Sequence, residues 1–238
     1  MPTRLLLASL LLSGCAILPN DPTTDVLLLG EQHDAAAHPA LQQERVTQLA
    51  GAGRLRAVAL EMAERGTTTA GLPPTASEAQ VREALGWKAD GGWPWERYAA
   101  PVMAAVRAGV PVVGANLPRA QMRQAMADTS LDTLLPGPAL KAQQQAIRQG
   151  HCDMLPEAQV TPMTRVQVAR DLAMAQTVAG LVRRDGTVVL IAGAGHVEPD
   201  VGVPRHLPPT LRVKPEVLPP EDTGKDYCAE FRRQMQRR

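Results

Sequence analysis

Side chains able to do acid–base chemistry or to bind a metal ion follow four short apolar runs of this chain. Each run ends in a polar or glycine-containing turn, and the chemically able side chains in these turns are Glu31, His33, Glu61, Asn116 and His196. Carboxylates and imidazoles held together could act as general acid and base, or they could bind a divalent metal ion. Burying Glu31 and Glu61 side by side would raise the pKa of one of them, so the pair needs a cation, a proton or the histidines.

Each of these residues also has an ordinary structural interpretation. A glutamate or asparagine after a strand often caps the next helix, and a lone histidine is more often a hydrogen-bonded structural residue than a ligand. In favour of chemistry, the spacing Gly-x-x-His occurs twice directly after an apolar run, ending at His33 and at His196. The chain contains no Gly-x-Ser-x-Gly, His-Glu-x-x-His or P-loop sequence, which argues against the common serine hydrolase, zincin and nucleotide-binding sites. A structural cluster and an active or metal site both remain open.

Aromatic residues are rare in this chain, and most of them are clustered. The 238 residues include three Trp, two Tyr and one Phe, and four of these six fall within twelve positions, at Trp87, Trp93, Trp95 and Tyr98. Such a cluster can anchor a glycine-rich loop on the sheet, or it can form a platform for a flat apolar ligand. A tyrosine nearby can donate a hydrogen bond or, as phenolate, bind ferric iron. Because few aromatics are left elsewhere, the core must be aliphatic.

The four apolar runs are typical of short buried strands in a parallel sheet, with helical patterns between them. The predicted strands are residues 26–29, 57–60, 111–115 and 188–192, with a weaker one at 211–214, and the predicted helices are 39–50, 98–108, 140–149, 165–184 and an amphipathic segment at 225–238. Thr161 as N-cap and Pro162 at the first helical position would start the longest helix. The alternation predicts a three-layer α/β domain with a mostly parallel sheet and a helical insertion at about 119–162. Since ligands bind at the carboxyl ends of parallel strands, the polar turns should meet at one edge.

The N-terminus has the pattern of a secretory signal. Arg4 precedes an apolar run at 5–12, far shorter than the roughly 20 residues of a membrane span. The run ends in Leu-Ser-Gly-Cys, which resembles the bacterial lipobox, so Cys15 is predicted to be lipidated and to anchor the protein stably to a membrane. The alternative is a plain secretory signal with an incidental cysteine. The predicted organisation is a signal peptide (1–14), a tether (15–24), one domain (25–220) and a C-terminal tail (221–238).

Net charge and cysteine count bear on the partners and the compartment. The chain has 25 Lys and Arg against 24 Asp and Glu, a net charge of +1. That balance gives no overall electrostatic footprint for nucleic acid or for acidic lipid. Besides Cys15 the chain has Cys152 and Cys228, and an oxidising compartment would favour a disulfide between them over two free thiols or a single reactive one.

The order of short motifs along residues 25 to 207 is more specific than any one of them. These motifs are Leu29-Gly30-Glu31-Gln32-His33-Asp34, Leu60-Glu61-Met62, Gly86-Trp87, Gly92-Trp93-Pro94-Trp95 with Tyr98, Ala115-Asn116-Leu117-Pro118-Arg119, His151-Cys152 with Leu155-Pro156, Gln167 with Ala169-Arg170-Asp171, and Ile191-Ala192-Gly193-Ala194-Gly195-His196. In this order they resemble the ChaN-like haem-binding lipoproteins. They also resemble, more distantly, a wider superfamily that includes erythromycin-esterase-like hydrolases and Tiki/TraB-like proteases.

The closer resemblance implies a haem-binding lipoprotein of the cell envelope, in iron or haem uptake or storage, with haem at the interface of a homodimer. It also implies a tyrosine as ligand to ferric haem iron, and Tyr98 in the Trp-rich segment is favoured over Tyr227 in the tail. Ala16, which follows the lipidated cysteine, gives no inner-membrane retention signal of the Asp type. The outer membrane is therefore favoured, with a haem or iron receptor there as an expected partner. The other residues predicted to contact the haem are Trp93 and Trp95, which belong to the aromatic cluster, and Lys88 and His151 toward the propionates. The resemblance implies His and Lys groups near the propionates, and Lys88 is the lysine nearest the aromatic cluster.

The wider superfamily implies a rival function, a metal-dependent or His/Glu-based hydrolase. In that interpretation His33 would be a general base or a metal ligand, and Glu31 and Glu61 would orient it or bind the metal. His196 would be a second ligand or would stabilise an oxyanion. The two functions use different residues, so they do not exclude each other.

Overall fold

The structure, a computed structural model, describes residues 24–88 and 92–236. The strands in this part of the chain are β1 Val26–Glu31, β2 Leu55–Glu64, β3 Val112–Asn116, β4 Thr187–Gly193 and β5 Val213–Val217. They form one parallel sheet in the order β3–β2–β4–β1–β5. Because all the strands run the same way, their carboxyl ends meet at one edge of the sheet.

Helices follow or connect the strands. They are α1 His38–Gly51, α2 Glu78–Ala84, α3 Trp95–Arg107, α4 Met122–Ala127, α5 Gly137–Gly150, α6 Glu157–Leu181 and α7 Tyr227–Met235. Short 3-10 helices occupy Arg119–Gln121, Thr129–Thr133, Ala194–Val197 and Val203–His206.

Alternate strand residues point into two apolar layers, one on each face of the sheet. Leu29 and Leu60 face the layer that contains α1 and α3, together with the aromatic residues of the Trp-rich segment. Leu28 and Ala59 face the opposite layer, which is filled by Met174 and other residues of α6. This period-2 burial follows from the pleat of a strand. The domain is therefore a three-layer α/β fold, which confirms the predicted fold class.

The longest helix begins earlier than the sequence pattern predicts. α6 starts at Glu157 behind Pro156 as N-cap, so Thr161 is not the cap and Pro162 lies inside the helix. Proline lacks a backbone N–H and costs one helical hydrogen bond there. The buried residues on either side, Val160 and Thr164, offset this cost through packing, and the Thr164 hydroxyl donates to the Val160 carbonyl at 2.8 Å.

One helix was missed by the sequence analysis although its signal is present. α2 begins with a capping box, in which the Ser77 hydroxyl accepts from the Gln80 amide and the Gln80 side chain accepts from the Ser77 amide. Its short length hid the apolar period that marks longer helices. α2 packs its buried Val81 against the aromatic layer, so it supports the Trp-rich segment.

The tail after β5 lies across the carboxyl edge of the sheet. The Glu221 carboxylate accepts hydrogen bonds from the amides of Ala36 and Ala37 at the start of α1, at 2.7 and 2.8 Å. A disulfide joins Cys152, after α5, to Cys228 in α7, which confirms the predicted pairing. The tail is thus fixed both to the sheet edge and to the end of α5.

The predicted signal peptide and the lipidated Cys15 lie outside the described residues, so they remain predictions. Among the residues that are described, no helix is both long and apolar enough to cross a membrane.

Candidate functional site

Glu31, at the carboxyl end of β1, is the centre of one buried polar network. One carboxylate oxygen accepts a hydrogen bond from the Tyr98 hydroxyl at 2.7 Å and contacts His33 Nδ1 at 2.8 Å. The other oxygen accepts a hydrogen bond from the Gln42 side chain. Glu31 is thus satisfied by three neighbours, as a buried carboxylate must be.

His33 is the exposed member of this network. Its side chain is 42% accessible, whereas that of Glu31 is 3% accessible. The ring meets Trp93 edge to face, with 4.7 Å between ring centroids. On its other side lies Gly193, where a Cβ atom would come 2.7 Å from His33 Nε2. Glycine after β4 therefore leaves the space that the imidazole fills.

Glu61, at the carboxyl end of β2, is the centre of a second network. It accepts hydrogen bonds from the Gly193 amide, at 2.7 Å, and from the Arg170 guanidinium. His196 Nε2 lies 3.4 Å from Glu61, and its Nδ1 lies 2.5 Å from the Asp171 carboxylate. The two helical residues, Arg170 and Asp171, thus bring opposite charges from α6 to the two strand ends.

The charges in this second network shift one another. Burial alone would raise the pKa of Glu61, but the cations His196 and Arg170 outweigh it and hold that pKa well below its usual range. Burial alone would lower the pKa of His196, but Glu61 and Asp171 outweigh it and raise the pKa to about 9. Burial also raises the pKa of Asp171 despite the neighbouring imidazolium. His196 is therefore a buried cation at neutral pH.

The raised pKa of His196 predicts a loss of stability in alkali. The folded-state pKa of about 9 exceeds the ordinary value of 6.5, so the protonated form stabilises the fold fully below pH 6.5. That contribution, about 3 kcal/mol from the pKa difference, disappears as the pH rises through 9. We expect the thermal midpoint of the wild type to fall between about pH 7 and pH 10. In His196→Gln the midpoint should be lower throughout and nearly flat over this range. An equal slope in both proteins would show that another group is responsible.

This geometry shows how the residues of the predicted four-residue acid–base site are engaged, and that site stays a prediction. His196 is 5% accessible and enclosed by carboxylates, so it serves as a structural cation and has no lone pair for a substrate or a metal ion. Glu61 is occupied by Arg170 and the Gly193 amide. Across residues 24–88 and 92–236, no group of three or more His, Cys, Asp or Glu side chains is arranged to hold a metal ion. Of the four residues, only His33 is exposed to a ligand.

Tyr98 is not placed as the sequence analysis expected. Its ring is 1% accessible and lies beneath Trp87 and Trp93, with centroids 5.6 and 6.2 Å away. Burial and the adjacent Glu31 charge raise the pKa of its phenol far above the usual value, so the phenolate is strongly disfavoured. Binding iron would require Tyr98 to leave Glu31 and displace the indoles above it. In this structure Tyr98 therefore supports the aromatic layer and the Glu31 network, and its role as an iron ligand stays a prediction.

Trp87 and Trp93 wall a cavity of about 380 Å³ beside the Glu61 network. Trp93 is held by the hydrogen bond from Trp87 Nε1 to its carbonyl, at 2.9 Å. Around the cavity lie apolar side chains, three cations and two carboxylates; the lining includes Met62, Leu85, Leu117, Met122, Lys88, Arg119, Arg170, Glu61 and Glu64. A cavity with apolar walls and a few placed charges is the usual form of a small-molecule site.

The other predicted haem-contacting residues are divided between this cavity and other places. Lys88 is exposed on the cavity lining, and its contact with a propionate stays a prediction. Trp95 is buried below the cavity, and its indole N–H donates to Glu78 at 2.7 Å. His151 lies at the end of α5, where its Nδ1 bonds the Ile147 carbonyl at 2.7 Å. It is absent from the described lining, so the structure separates it from Lys88.

Tyr227, the second tyrosine, lies beside Asp34, the residue that follows His33. Half of its surface is exposed, and its hydroxyl donates to the Asp34 carboxylate at 2.7 Å. The tail thus brings a phenol close to the carboxyl end of β1, but this phenol does not line the Trp-walled cavity.

The polar residues of α6 belong to the motifs that carry the resemblance, but the sequence analysis assigned them no role in the site. Arg170 and Asp171 lie within an otherwise apolar stretch and supply the charges around Glu61 and His196. The side-chain amide of Gln167, one helical turn earlier, lies 3.1 Å from His196 Nδ1. Their spacing of three and four residues places them on one face of the helix. That signal is readable from the sequence once α6 is expected to pack on the carboxyl edge.

Comparison with known proteins agrees with this architecture. Over residues 22–207 the chain matches the family model described as "Haem-binding uptake, Tiki superfamily, ChaN". No curated protein sequence matches the chain. Among solved structures it is similar to ChaN of Campylobacter jejuni, in a structure of cofacial haem binding to that protein, with a TM-score of 0.68 and 22% identity. The alignment covers 84% of this chain and 83% of the Campylobacter chain, and at this identity it shows a shared fold. Because the family model spans most of the residues, this chain belongs to the haem-binding uptake family of the Tiki superfamily that includes ChaN.

Proposed function

We propose that this chain binds haem in the cavity walled by Trp87 and Trp93. The observation that carries the proposal is a cavity with indole walls and with Lys88 and Arg119 in its lining, next to the exposed His33, which meets Trp93 edge to face without being part of the described lining. Apolar walls suit the porphyrin faces, and Lys88 and Arg119 suit the two propionates. Membership of the haem-binding uptake family supports the same ligand.

We propose His33 as the ligand to the haem iron. Its Nδ1 is engaged by the Glu31 carboxylate, which fixes the tautomer and leaves Nε2 as the nitrogen with the lone pair. A histidine oriented by a carboxylate is a common ligand for metals and for haem iron. The bound haem would supply the iron chemistry, and the residues of this chain would hold, orient and shield it. Tyr227 is the competing ligand, because half of the residue is exposed whereas Tyr98 is buried.

The Trp93 side chain provides the first test. Removing its indole in Trp93→Ala should weaken haem binding about tenfold, because the porphyrin loses a stacking wall and His33 loses its edge-to-face support. The measurement is a titration with ferric haem followed by the Soret band and by quenching of tryptophan fluorescence. Trp95→Phe is the matched control, since Trp95 is buried outside this cavity. Equal affinity in Trp93→Ala and the wild type would remove the cavity from the proposal, and absence of binding by the wild type would remove haem itself.

We further propose that the protein is a lipoprotein of the outer membrane, anchored through Cys15, with a role in haem or iron uptake. The support is the short apolar run and the lipobox-like sequence at residues 5–15, together with the family description. A homodimer that encloses haem between its copies would cover the open side of the cavity. Mass spectrometry of the native protein tests the acylation, and sedimentation with and without haem tests the dimer.

A further inference from the structure

The near-neutral net charge conceals a basic surface at the amino ends of the strands. In the part of the chain that the structure describes, six arginines lie at this end against two aspartates, an excess of four positive charges although the whole chain carries +1. The arginines are Arg54, Arg56, Arg107, Arg183, Arg184 and Arg212, and the aspartates are Asp25 and Asp185. Counting Asp21 from the preceding segment still leaves an excess of three. We call these six arginines the basic face.

The fold brings these arginines together because each loop that enters a strand starts here. Register pairs Leu55 of β2 with Thr187 of β4, so the two entering loops are neighbours. Arg56 donates to the Asp185 carbonyl at 2.6 Å across these loops. At the outer strand β5, Arg212 pairs with Asp25 at 2.7 Å. The basic face therefore spans the width of the sheet.

Two arginines of the basic face have no structural duty in the described residues. Arg183 donates to the Gly180 and Val182 carbonyls and so caps the end of α6. Arg107, at the end of α3, and Arg184 are exposed, and no hydrogen bond or ion pair among the described residues engages either of them. These two side chains are free to contact a partner outside the chain.

The N-terminal segment enters the domain at this same face. The Thr24 carbonyl, just before β1, accepts a hydrogen bond from the Thr187 hydroxyl at 2.8 Å. Nine residue steps lead from Cys15 to Thr24, two positions before β1, and nine residues span at most about 30 Å when fully extended. A lipid anchor on Cys15 would therefore keep the basic face within about 30 Å of the bilayer surface.

We propose that the basic face contacts the anionic phospholipid headgroups of the membrane that carries the anchor, an inference that rests on the proposed acylation of Cys15. Arginines near an anionic surface gain affinity within a Debye length, roughly 8 Å at physiological salt. The haem cavity, with Trp93 and His33, lies at the carboxyl ends of the strands and so faces away from the bilayer. This orientation leaves the cavity open to a haem donor or to a second copy.

The test measures how the full chain carrying Cys15→Ser binds vesicles of phosphatidylcholine with and without one-third phosphatidylglycerol. The substitution removes the acyl anchor, and any contact by the apolar residues 5–12 is equal for both lipids, so the affinity ratio isolates charge. We expect the Cys15→Ser protein with its six arginines intact to bind the vesicles that contain phosphatidylglycerol more tightly, and we expect this difference in affinity to decrease in high salt. Each arginine near an anionic surface contributes roughly fivefold to the affinity, so adding Arg107→Gln and Arg184→Gln should reduce the ratio of the two affinities about 25-fold.

The matched control adds Arg232→Gln and Arg233→Gln, which remove the same charge from the exposed surface of α7 near the opposite end of the molecule. It should keep the preference, and circular dichroism should show that all variants are folded. The proposal is overturned if the parent shows no lipid preference, if Arg107→Gln/Arg184→Gln retains it, or if the α7 variant loses it equally. Acylation is measured separately, by the mass of the native protein, so an unmodified Cys15 would refute the anchor without altering the vesicle result.

Discussion

Replacing Glu61 by alanine is expected to lower the free energy of unfolding by about 3–5 kcal/mol, the cost of leaving buried charges without their partner. Glu61 is 1% accessible and neutralises both His196 and Arg170, while one oxygen also accepts from the Gly193 amide. Substitution by alanine removes the carboxylate that these three groups share and leaves the buried imidazolium of His196 without this counter-charge. For a chain of this length, the thermal midpoint should fall by about 10 °C.

The matched control for this change is Glu64→Ala on the same strand. Glu64 is exposed at the end of β2 and accepts only a backbone hydrogen bond, from the Arg119 amide at 3.1 Å. Its replacement should cost about 1 kcal/mol or less, as surface changes usually do. Chemical denaturation followed by circular dichroism measures both. Similar losses of unfolding free energy in the two variants would mean that the network around Glu61 does not stabilise this edge of the sheet.

Replacing His33 by alanine is expected to weaken haem binding on the order of 100-fold, because the iron loses its proposed protein ligand while the cavity walls remain. The side chain is exposed and contributes little to the core, so the variant should keep the thermal stability of the wild type within about 1 kcal/mol. The absorption spectrum of any haem that still binds should change, and added imidazole should restore the wild-type spectrum. That rescue separates loss of a ligand from a general disturbance of the site.

The two tyrosines provide the controls for the His33 variant. Tyr98→Phe keeps the ring beneath Trp87 and should leave the haem spectrum unchanged. Tyr227→Phe removes the exposed phenol next to Asp34 and should also leave it unchanged. If Tyr227→Phe loses the spectrum and His33→Ala keeps it, the tail supplies the ligand and the assignment to His33 is wrong.

The sequence predicts the strands and their polar ends because both are local. Each buried strand is a short apolar run, and the residue after it must leave the sheet at the edge where Glu31, Glu61 and His196 meet. The partners of these residues are not local. Arg170 and Asp171 come from a helix more than a hundred residues after Glu61, and only the fold shows that they neutralise the cluster.

The aromatic segment shows the same division. Its clustering is readable from the sequence, and the structure places Trp87 and Trp93 on a cavity. The direction in which each side chain leaves its element decides which rings line the cavity. Tyr98 lies in the first turn of α3, and its side chain points at the sheet, toward Glu31. The basic face is likewise not readable from the composition. A net charge of +1 sums over the whole chain, and the arginines form one surface only because the fold brings their loops to the same end of the sheet.

The most direct test of the central claim is to locate the iron. Crystals of the protein grown with haem and measured at the iron absorption edge give an anomalous difference peak at the metal. The account predicts one peak per chain at bonding distance from His33 Nε2, with the porphyrin against Trp93 and its propionates toward Lys88 and Arg119. A peak bound by Tyr227, or one remote from the Trp-walled cavity, would contradict it.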